Sequence, residues 1–334
     1  MLLKAFDQAS LVAGMAQLLA LVSDPSTAAR CVSTAEKHFS LDEGALGIGV
    51  FMNVSEDKPV KKNLDVETVN SFSDEWSRFD QTTLSEEEAR RIFDEYFAIF
   101  PWGRLPENAS GFDMGCVTGR WAKLVAPNVG HLHCIDPSTA LDVAKVALGS
   151  FKNVTFYCAS VDDQALPINS QDFGYSLGVL HHLPDTSSAI KSCVSLLKPG
   201  APLLLYLYYA FDNRGWVYRV LWRVSDLVRR IICKLPSRFK HLVTVVIAAI
   251  VYFPLARLSL LLDKVGINAA SIPLFYYRNH SFYTMRTDSR DRFGTPLEQR
   301  FTKQQIKSYM ERSGLIDIKF SDNAPYWCAV GIKK

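Results

Sequence analysis

Ser110-Gly111-Phe112-Asp113-Met114-Gly115-Cys116-Val117-Thr118-Gly119-Arg120-Trp121 is the stretch that decides the fold. Small and apolar residues run into Asp113, glycines mark a turn at Gly115 and Gly119, and helix formers with an apolar face resume at Arg120. This reads as a strand, a turn and a helix start, with glycine letting backbone N–H groups approach a ligand at a helix N-terminus. Two glycines alone are weak evidence, because many strand-turn-helix units carry them without a ligand. The downstream spacing is stronger. Residues 130–136 form a second strand ending in Asp136, about twenty residues beyond the turn, where a carboxylate can hold ribose hydroxyls. Residues 154–160 form a third strand followed by Asp162, and residues 172–179 a fourth that runs into His181 and His182. Polar groups at the C-terminal ends of consecutive parallel strands mark the ligand edge of an open α/β sheet.

These residues resemble the class I S-adenosylmethionine-dependent methyltransferases, in particular the broad group that includes quinone and small-molecule methyltransferases. The resemblance covers Gly111 to the C-terminus apart from one insertion. The first motif of that family is Asp-x-Gly-x-Gly-x-Gly, and here it stands as Asp113-Met114-Gly115-Cys116-Val117-Thr118-Gly119. It implies S-adenosyl-L-methionine as cofactor, with the turn containing Asp113, Gly115 and Gly119 around its methionine part, Asp136 on the ribose and Asp162 facing the adenine amino group. Ser176-Leu177-Gly178-Val179-Leu180-His181-His182 is similar to the fourth motif, and Leu196-Leu197-Lys198-Pro199-Gly200 to the turn before the fifth strand. Val117 departs from the pattern by standing at the middle glycine. A β-branched side chain there either crowds the cofactor or is strained at positive φ, at a cost of about 1–2 kcal/mol.

At 334 residues the chain can hold one large α/β domain and an accessory region. Its 48% hydrophobic and 21% charged residues are ordinary for a globular protein, and a net charge of +3 is too small to indicate a nucleic-acid partner. The seven cysteines are odd in number and lack paired spacing, which points to a reduced, cytoplasmic protein with neither disulfide framework nor zinc site. His131 and His133 share a strand face, but with no third ligand nearby no metal is expected. Residues 1–22 are apolar yet interrupted by Asp7, Gln8 and Gln17, so an amphipathic helix is favoured over a signal peptide. A helix at 26–38, a hairpin at 47–54 and a charged loop at 55–65 follow.

Strand and helix then alternate, which predicts an α/β fold: a Rossmann-like, seven-stranded, mostly parallel sheet with an antiparallel last strand and helices on both faces. Residues 202–209, almost all apolar, suit a central fifth strand. A helix at 302–313 stops at Gly314, and a hairpin of residues 316–320 and 326–332 closes the chain. In the family resembled, the seventh strand lies antiparallel between the fifth and sixth. That hairpin, and a turn that is not Gly-x-Gly-x-x-Gly, argue against a nicotinamide dehydrogenase. The expected division is an N-terminal accessory or cap region at 1–104, a methyltransferase domain at 105–209 and 301–334, and a helical insertion at 210–300. Within the cap, Ser85 and Glu88 form a capping box for a helix carrying Ala89, Ile92, Phe93, Tyr96 and Phe97. Trp76, Phe79, Phe97, Phe100 and Trp102 either fold over the cofactor or fill the core.

In the insertion, residues 216–235 read as a basic amphipathic helix, with Arg219, Arg223, Asp226, Arg230 and Lys234 opposite Val220, Leu221, Val224, Leu227 and Ile231. Residues 242–262 are almost wholly apolar, with Arg257 the only charge and Pro254 expected to break the run. About twenty residues suffice to cross a bilayer, but a single crossing would separate strands of one sheet. The expectation is a lid over a lipid-like acceptor, lying on an anionic membrane surface through 216–262, or else packed on the domain or in a homodimer interface. Residues 275–301 are dense in arginine and tyrosine, suiting an anionic acceptor or ion pairs to Asp288, Asp291 and Glu298. Methyl transfer needs an aligned acceptor, and a base where the nucleophile must lose a proton. His181 and His182 are the candidate bases, with Tyr208, Tyr209 and Asp212 at the neighbouring strand end. The sequence thus predicts a methyltransferase acting on a small or lipid-like anionic acceptor, cytoplasmic or peripheral on a membrane, with no nucleic-acid partner. The alternatives are a catalytically degenerate cofactor-binding homologue, motivated by Val117, and a nucleic-acid methyltransferase, motivated by the basic helix.

Overall fold

The computed structural model describes residues 62–79 and 83–334. The expectations for helices at 1–22 and 26–38, for the hairpin at 47–54 and for most of the loop at 55–65 fall outside the described residues. Seven strands form one sheet: β1 (Ser110–Met114), β2 (His131–Ile135), β3 (Val154–Tyr157), β4 (Phe173–Leu177), β5 (Pro202–Tyr206), β6 (Leu315–Phe320) and β7 (Cys328–Lys333). Their order is β3-β2-β1-β4-β5-β7-β6. The first five are parallel, and β7 runs antiparallel between β5 and β6, as the resemblance implied.

Before the sheet come helices α1 (Val66–Arg78) and α2 (Glu86–Phe97); α3 (Ala122–Val125), α4 (Ala140–Ala147) and α5 (Thr186–Leu196) connect the parallel strands. The period of two along each strand separates two cores. Phe112, Met114, Leu203 and Leu205 pack on the α5 side, together with Ile306 and Met310 of α10 (Lys303–Arg312). Leu132, Phe173, Tyr175 and Leu204 face Ile92, Phe93 and Phe97 of α2 and Val125 of α3 on the other side. Central strands covered on both faces must be apolar on both faces, which is why the β5 stretch has no polar alternation.

Three local expectations need correction. Residues 66–78 are a helix that the sequence did not announce, capped by the Asp65 carboxylate accepting from Thr68 N. Ser85 caps α2 by accepting from Glu88 N, but Glu88 does not complete the box. Its carboxylate instead accepts from Ser281 N and Thr284 Oγ1, holding the start of α9 (Phe282–Gly294). Pro254 does not break the apolar run. Helices α7 (Ser237–Ile247) and α8 (Phe253–Lys264) join through a π-helical turn at Ala248–Tyr252, and Pro254 sits in the first turn after it, where proline is tolerated. Preceded by α6 (Trp216–Ile232), this makes one helix of 28 residues, Ser237–Lys264, long and apolar enough to cross a membrane by length and composition.

Candidate active site

A cavity of about 880 Å³ opens at the C-terminal ends of the parallel strands, where Met114, Ile135, Leu177 and Tyr206 end β1, β2, β4 and β5. Phe72 and Trp76 of α1 line it, as do Tyr218 and Trp222 of α6. Of the aromatic residues upstream of the glycine turn, Phe79, Phe97 and Phe100 are core, and Trp102 packs against that core. Of Trp76, Phe79, Phe97, Phe100 and Trp102, Trp76 alone lines the cavity.

The glycine turn forms one wall. Gly115 has φ 81°, and a Cβ there would lie 2.5 Å from the Val179 side chain, so neither the backbone nor the space admits another residue. Val117 follows at φ 52°, a region that strains a β-branched residue, and it also lines the cavity. Its N–H donates to Asp136 Oδ2 at 2.9 Å. Asp136 Oδ1 accepts from Ser138 N at 2.8 Å and from Ser138 Oγ at 2.5 Å. A carboxylate has about four lone-pair positions, so three bonds leave one for a ligand hydroxyl. Opposite, Gly178 has φ 77°, and a Cβ on it would meet only Tyr206, at 3.8 Å. The backbone there faces open space, a cradle a side chain would fill. This wall fits S-adenosylmethionine.

The strain at Val117 has a measurable consequence. Glycine would relieve about 1–2 kcal/mol of strain and lose about 1 kcal/mol through added freedom of the unfolded chain. Val117→Gly is therefore expected to shift Tm by no more than about 4 °C and to bind the cofactor at least as tightly as the parent. A tenfold loss of affinity by calorimetry would instead give the valine side chain itself a ligand-holding role.

The predicted cofactor residues do not all meet. Gly115, Asp136 and Gly178 line the cavity, whereas Asp113, Gly119 and Asp162 do not. The side chain of Asp113 is buried within the sheet, where Oδ2 has no hydrogen-bond partner among the described residues. Burial pushes its carboxyl up to about 8. Gly119 makes room for Leu148, which a Cβ would approach to 2.7 Å. Asp162 is exposed and accepts from Asn63 N at 2.6 Å; Ser160 and Val161 line the cavity at that strand end instead. His131 and His133 are spent on hydroxyls, His131 Nε2 lying 2.9 Å from Thr155 Oγ1 and His133 Nε2 3.3 Å from Ser110 Oγ.

The two histidines differ. His181 is fully buried, stacked on Tyr208 with ring centroids 3.8 Å apart, and is not part of the cavity lining. Burial, reinforced by His182 and Arg300, drives its pKa well below the usual imidazole value, so it stays neutral. His182 lines the cavity. Its Nδ1 lies 2.7 Å from the Leu297 carbonyl oxygen, a contact only an N–H can make, so Nδ1 carries the proton. That leaves Nε2 without a hydrogen-bond partner among the described residues, 4.0 Å from Asp291 Oδ1. Asp291 Oδ2 in turn accepts from the Tyr208 hydroxyl. Asp212, the other polar candidate, is used structurally, accepting from Lys303 N and Trp327 Nε1.

Another wall is built mainly by residues of the insertion, joined by Glu95 and Arg120. Tyr277 donates to Asp288 at 2.8 Å and Tyr276 to Glu95 at 2.9 Å, all four lining the cavity. Burial raises the Asp288 carboxyl to about 6. Arg300 is neutralised by Glu298 at 2.7 Å, but Arg120 and Arg292 line the cavity without an ion-pair partner among the described residues. The density of arginine and tyrosine in 275–301 was the available signal for this wall.

Part of the chain is similar to known proteins. A family profile for a methyltransferase domain matches residues 112–205. The ubiquinone biosynthesis O-methyltransferase of Xanthomonas axonopodis pv. citri (strain 306) is 34% identical over 105 residues, which is 30% of this chain and 43% of that protein. The chain thus spans less than half the length of this relative. Among solved structures, an O-methyltransferase family protein of Burkholderia thailandensis is 13% identical, with a TM-score of 0.46 over 80% of this chain and 59% of its own. The YcgJ protein of Bacillus subtilis is 12% identical, with a TM-score of 0.42 over 71% and 70%.

Proposed function

We propose that this chain, a class I S-adenosylmethionine-dependent methyltransferase by its residues 112–205, methylates a hydroxyl of a small or lipid-like anionic acceptor. S-adenosylmethionine supplies an electrophilic methyl group when bound. Gly115, Cys116 and Gly178 would hold its methionine end, Asp136 the ribose hydroxyls, and Ser160 with Val161 the adenine.

The observation that carries the hydroxyl assignment is His182. His182 lines the cavity; with Nδ1 fixed by the Leu297 carbonyl, its buried Nε2 keeps a lone pair that can accept a hydroxyl proton once the acceptor reaches it. The imidazolium so formed has the Asp291 carboxylate at 4.0 Å. Tyr206, Tyr208 and Phe211 offer the acceptor an aromatic wall, and Arg120 and Arg292, which make no ion pair among the described residues, offer guanidinium groups to a carboxylate or phosphate on it. The curated relative is named for O-methyl transfer, which is the reaction this base suits.

Two measurements test the reading together. Calorimetry should show S-adenosylmethionine binding that Asp136→Ala weakens about tenfold or more, since a buried carboxylate-to-hydroxyl bond is worth about 1.5–3 kcal/mol. A labelled methyl donor should then label hydroxylated aromatic or isoprenoid acids, with KM raised in Arg292→Gln. Labelling of amines in preference to hydroxyls, or equal use of an acid and its neutral methyl ester, would overturn the acceptor assignment.

A further inference from the structure

The insertion helices carry an inverted surface. On α6 the apolar residues face outward: Trp216 is 71% exposed, Leu227 62% and Ile231 63%. Arg229, by contrast, is buried, donating to the Thr295 and Pro296 carbonyls and paired with Asp226. The apolar face continues onto α7 and α8 through Phe239, Ile250 and Leu261. Of 23 large apolar side chains exposed among the described residues, 18 lie between residues 216 and 267. A patch so concentrated is an interaction surface rather than the scatter expected on any protein.

Charge identifies what it meets. Residues 216–264 hold nine Lys and Arg against two Asp, a net of +7 in a chain whose total is +3. Both acids are spent internally, Asp226 on Arg229 and Arg230 and Asp263 on Arg278. Arg219, Arg223, Lys234 and Arg238 are exposed beside the apolar residues. Outward apolar side chains interleaved with cations fit the headgroup region of an anionic bilayer.

The same helices cannot stand across that bilayer. Lys240, Thr244, Ala248, Tyr252, Ala256 and Ser259 form one buried stripe along the full length of Ser237–Lys264. Lys240 Nζ donates to Gly294 O at 3.2 Å, Ser289 Oγ to Thr244 O at 2.8 Å, and Arg257 to the Arg278 and His280 carbonyls. Insertion would strip these bonds and carry β5 away from β7, its neighbour in the sheet.

Leu221 and Val251 belong both to the exposed apolar set and to the cavity lining. The cavity therefore communicates with the patch. We infer that α6 and the Ser237–Lys264 helix are an interfacial platform that lies on an anionic phospholipid surface and opens the cavity toward it. Docking rests on this surface alone; use of the route by a lipid-borne acceptor rests additionally on the methyl-transfer reading.

The test is co-sedimentation of the full chain with vesicles of phosphatidylcholine alone or with one-quarter phosphatidylglycerol. Binding should require the anionic lipid and weaken with salt. Replacing Arg219, Arg223, Arg230 and Lys234 by Gln should lower it at least about 100-fold, given the contribution of each surface cation. Leu227→Ser with Ile231→Ser should lower it independently, both positions being exposed and circular dichroism checking the fold. Sodium carbonate should release the bound protein. Absence of sedimentation with anionic vesicles, whether or not the chain forms a dimer that Leu227→Ser disrupts, would overturn the proposal, as would resistance to carbonate. Vesicle binding with no methyl transfer would leave docking standing and remove only the acceptor route.

Discussion

His182→Gln is expected to lower kcat for methyl transfer by about 10²–10⁴-fold, the usual contribution of a positioned general base, while cofactor affinity stays within about twofold. Glutamine retains a donor for the Leu297 carbonyl, so the loss isolates the Nε2 lone pair rather than the packing of a buried ring. Asp291→Asn should give a smaller loss in the same assay. It keeps an acceptor for the Tyr208 hydroxyl and removes only the negative charge beside the imidazolium. His181 is a poor substitute for His182, being held neutral outside the cavity lining. A His182→Gln enzyme retaining more than about one-fifth of parental kcat would sink the base assignment and leave alignment as the source of rate.

How much of this could be read in the sequence depends on whether a residue acts through its neighbours in the chain or through tertiary contact. The sheet was legible because period-two burial and glycine turns are local, and the closing hairpin followed from two short apolar runs around a Ser-Asp-Asn-Ala-Pro turn. The placement of Asp136 and Gly115 at the cavity rests on the same local signals. Asp113 was misplaced: Phe112 and Met114 point into one core, so strand alternation puts Asp113 on the opposite face, away from the cavity. Helix α1 was missed although Val69, Phe72 and Trp76 recur at helical spacing; they line the cavity, and polar residues fill the positions between them. Glu88 looked like a local capping partner, yet it reaches Ser281 at the start of another helix. The approach of Asp291 to His182 joins residues more than a hundred positions apart, which no spacing rule predicts. The outward apolar face of α6 was equally hidden: periodicity shows that a helix has two faces, whereas the buried bonds of Arg229 show which one turns inward.

Asp113 carries the second large effect, on stability. Burial raises its carboxyl from the ordinary 3.8 to about 8, so the folded chain binds this proton more tightly than the unfolded chain does. Its contribution is fully present below about pH 4, declines as pH rises, and is lost by the time pH passes through about 8. A difference of about four units at about 1.36 kcal/mol each sets an upper limit of about 5 kcal/mol. Asn resembles the protonated acid and cannot ionise, so Asp113→Asn should remove this slope and gain on the parent steadily from pH 5 to 8 in urea midpoints. Asp288, raised to about 6 by burial, tilts both proteins the same way and cancels in the difference. Asp163 is held down to about 2, chiefly by its hydrogen bond from Lys62, and acts below this window. Parallel stability curves for the two proteins across pH 5 to 8 would show that Asp113 is ionised in the fold, and that the orphaned Oδ2 has found a charge or water to support it.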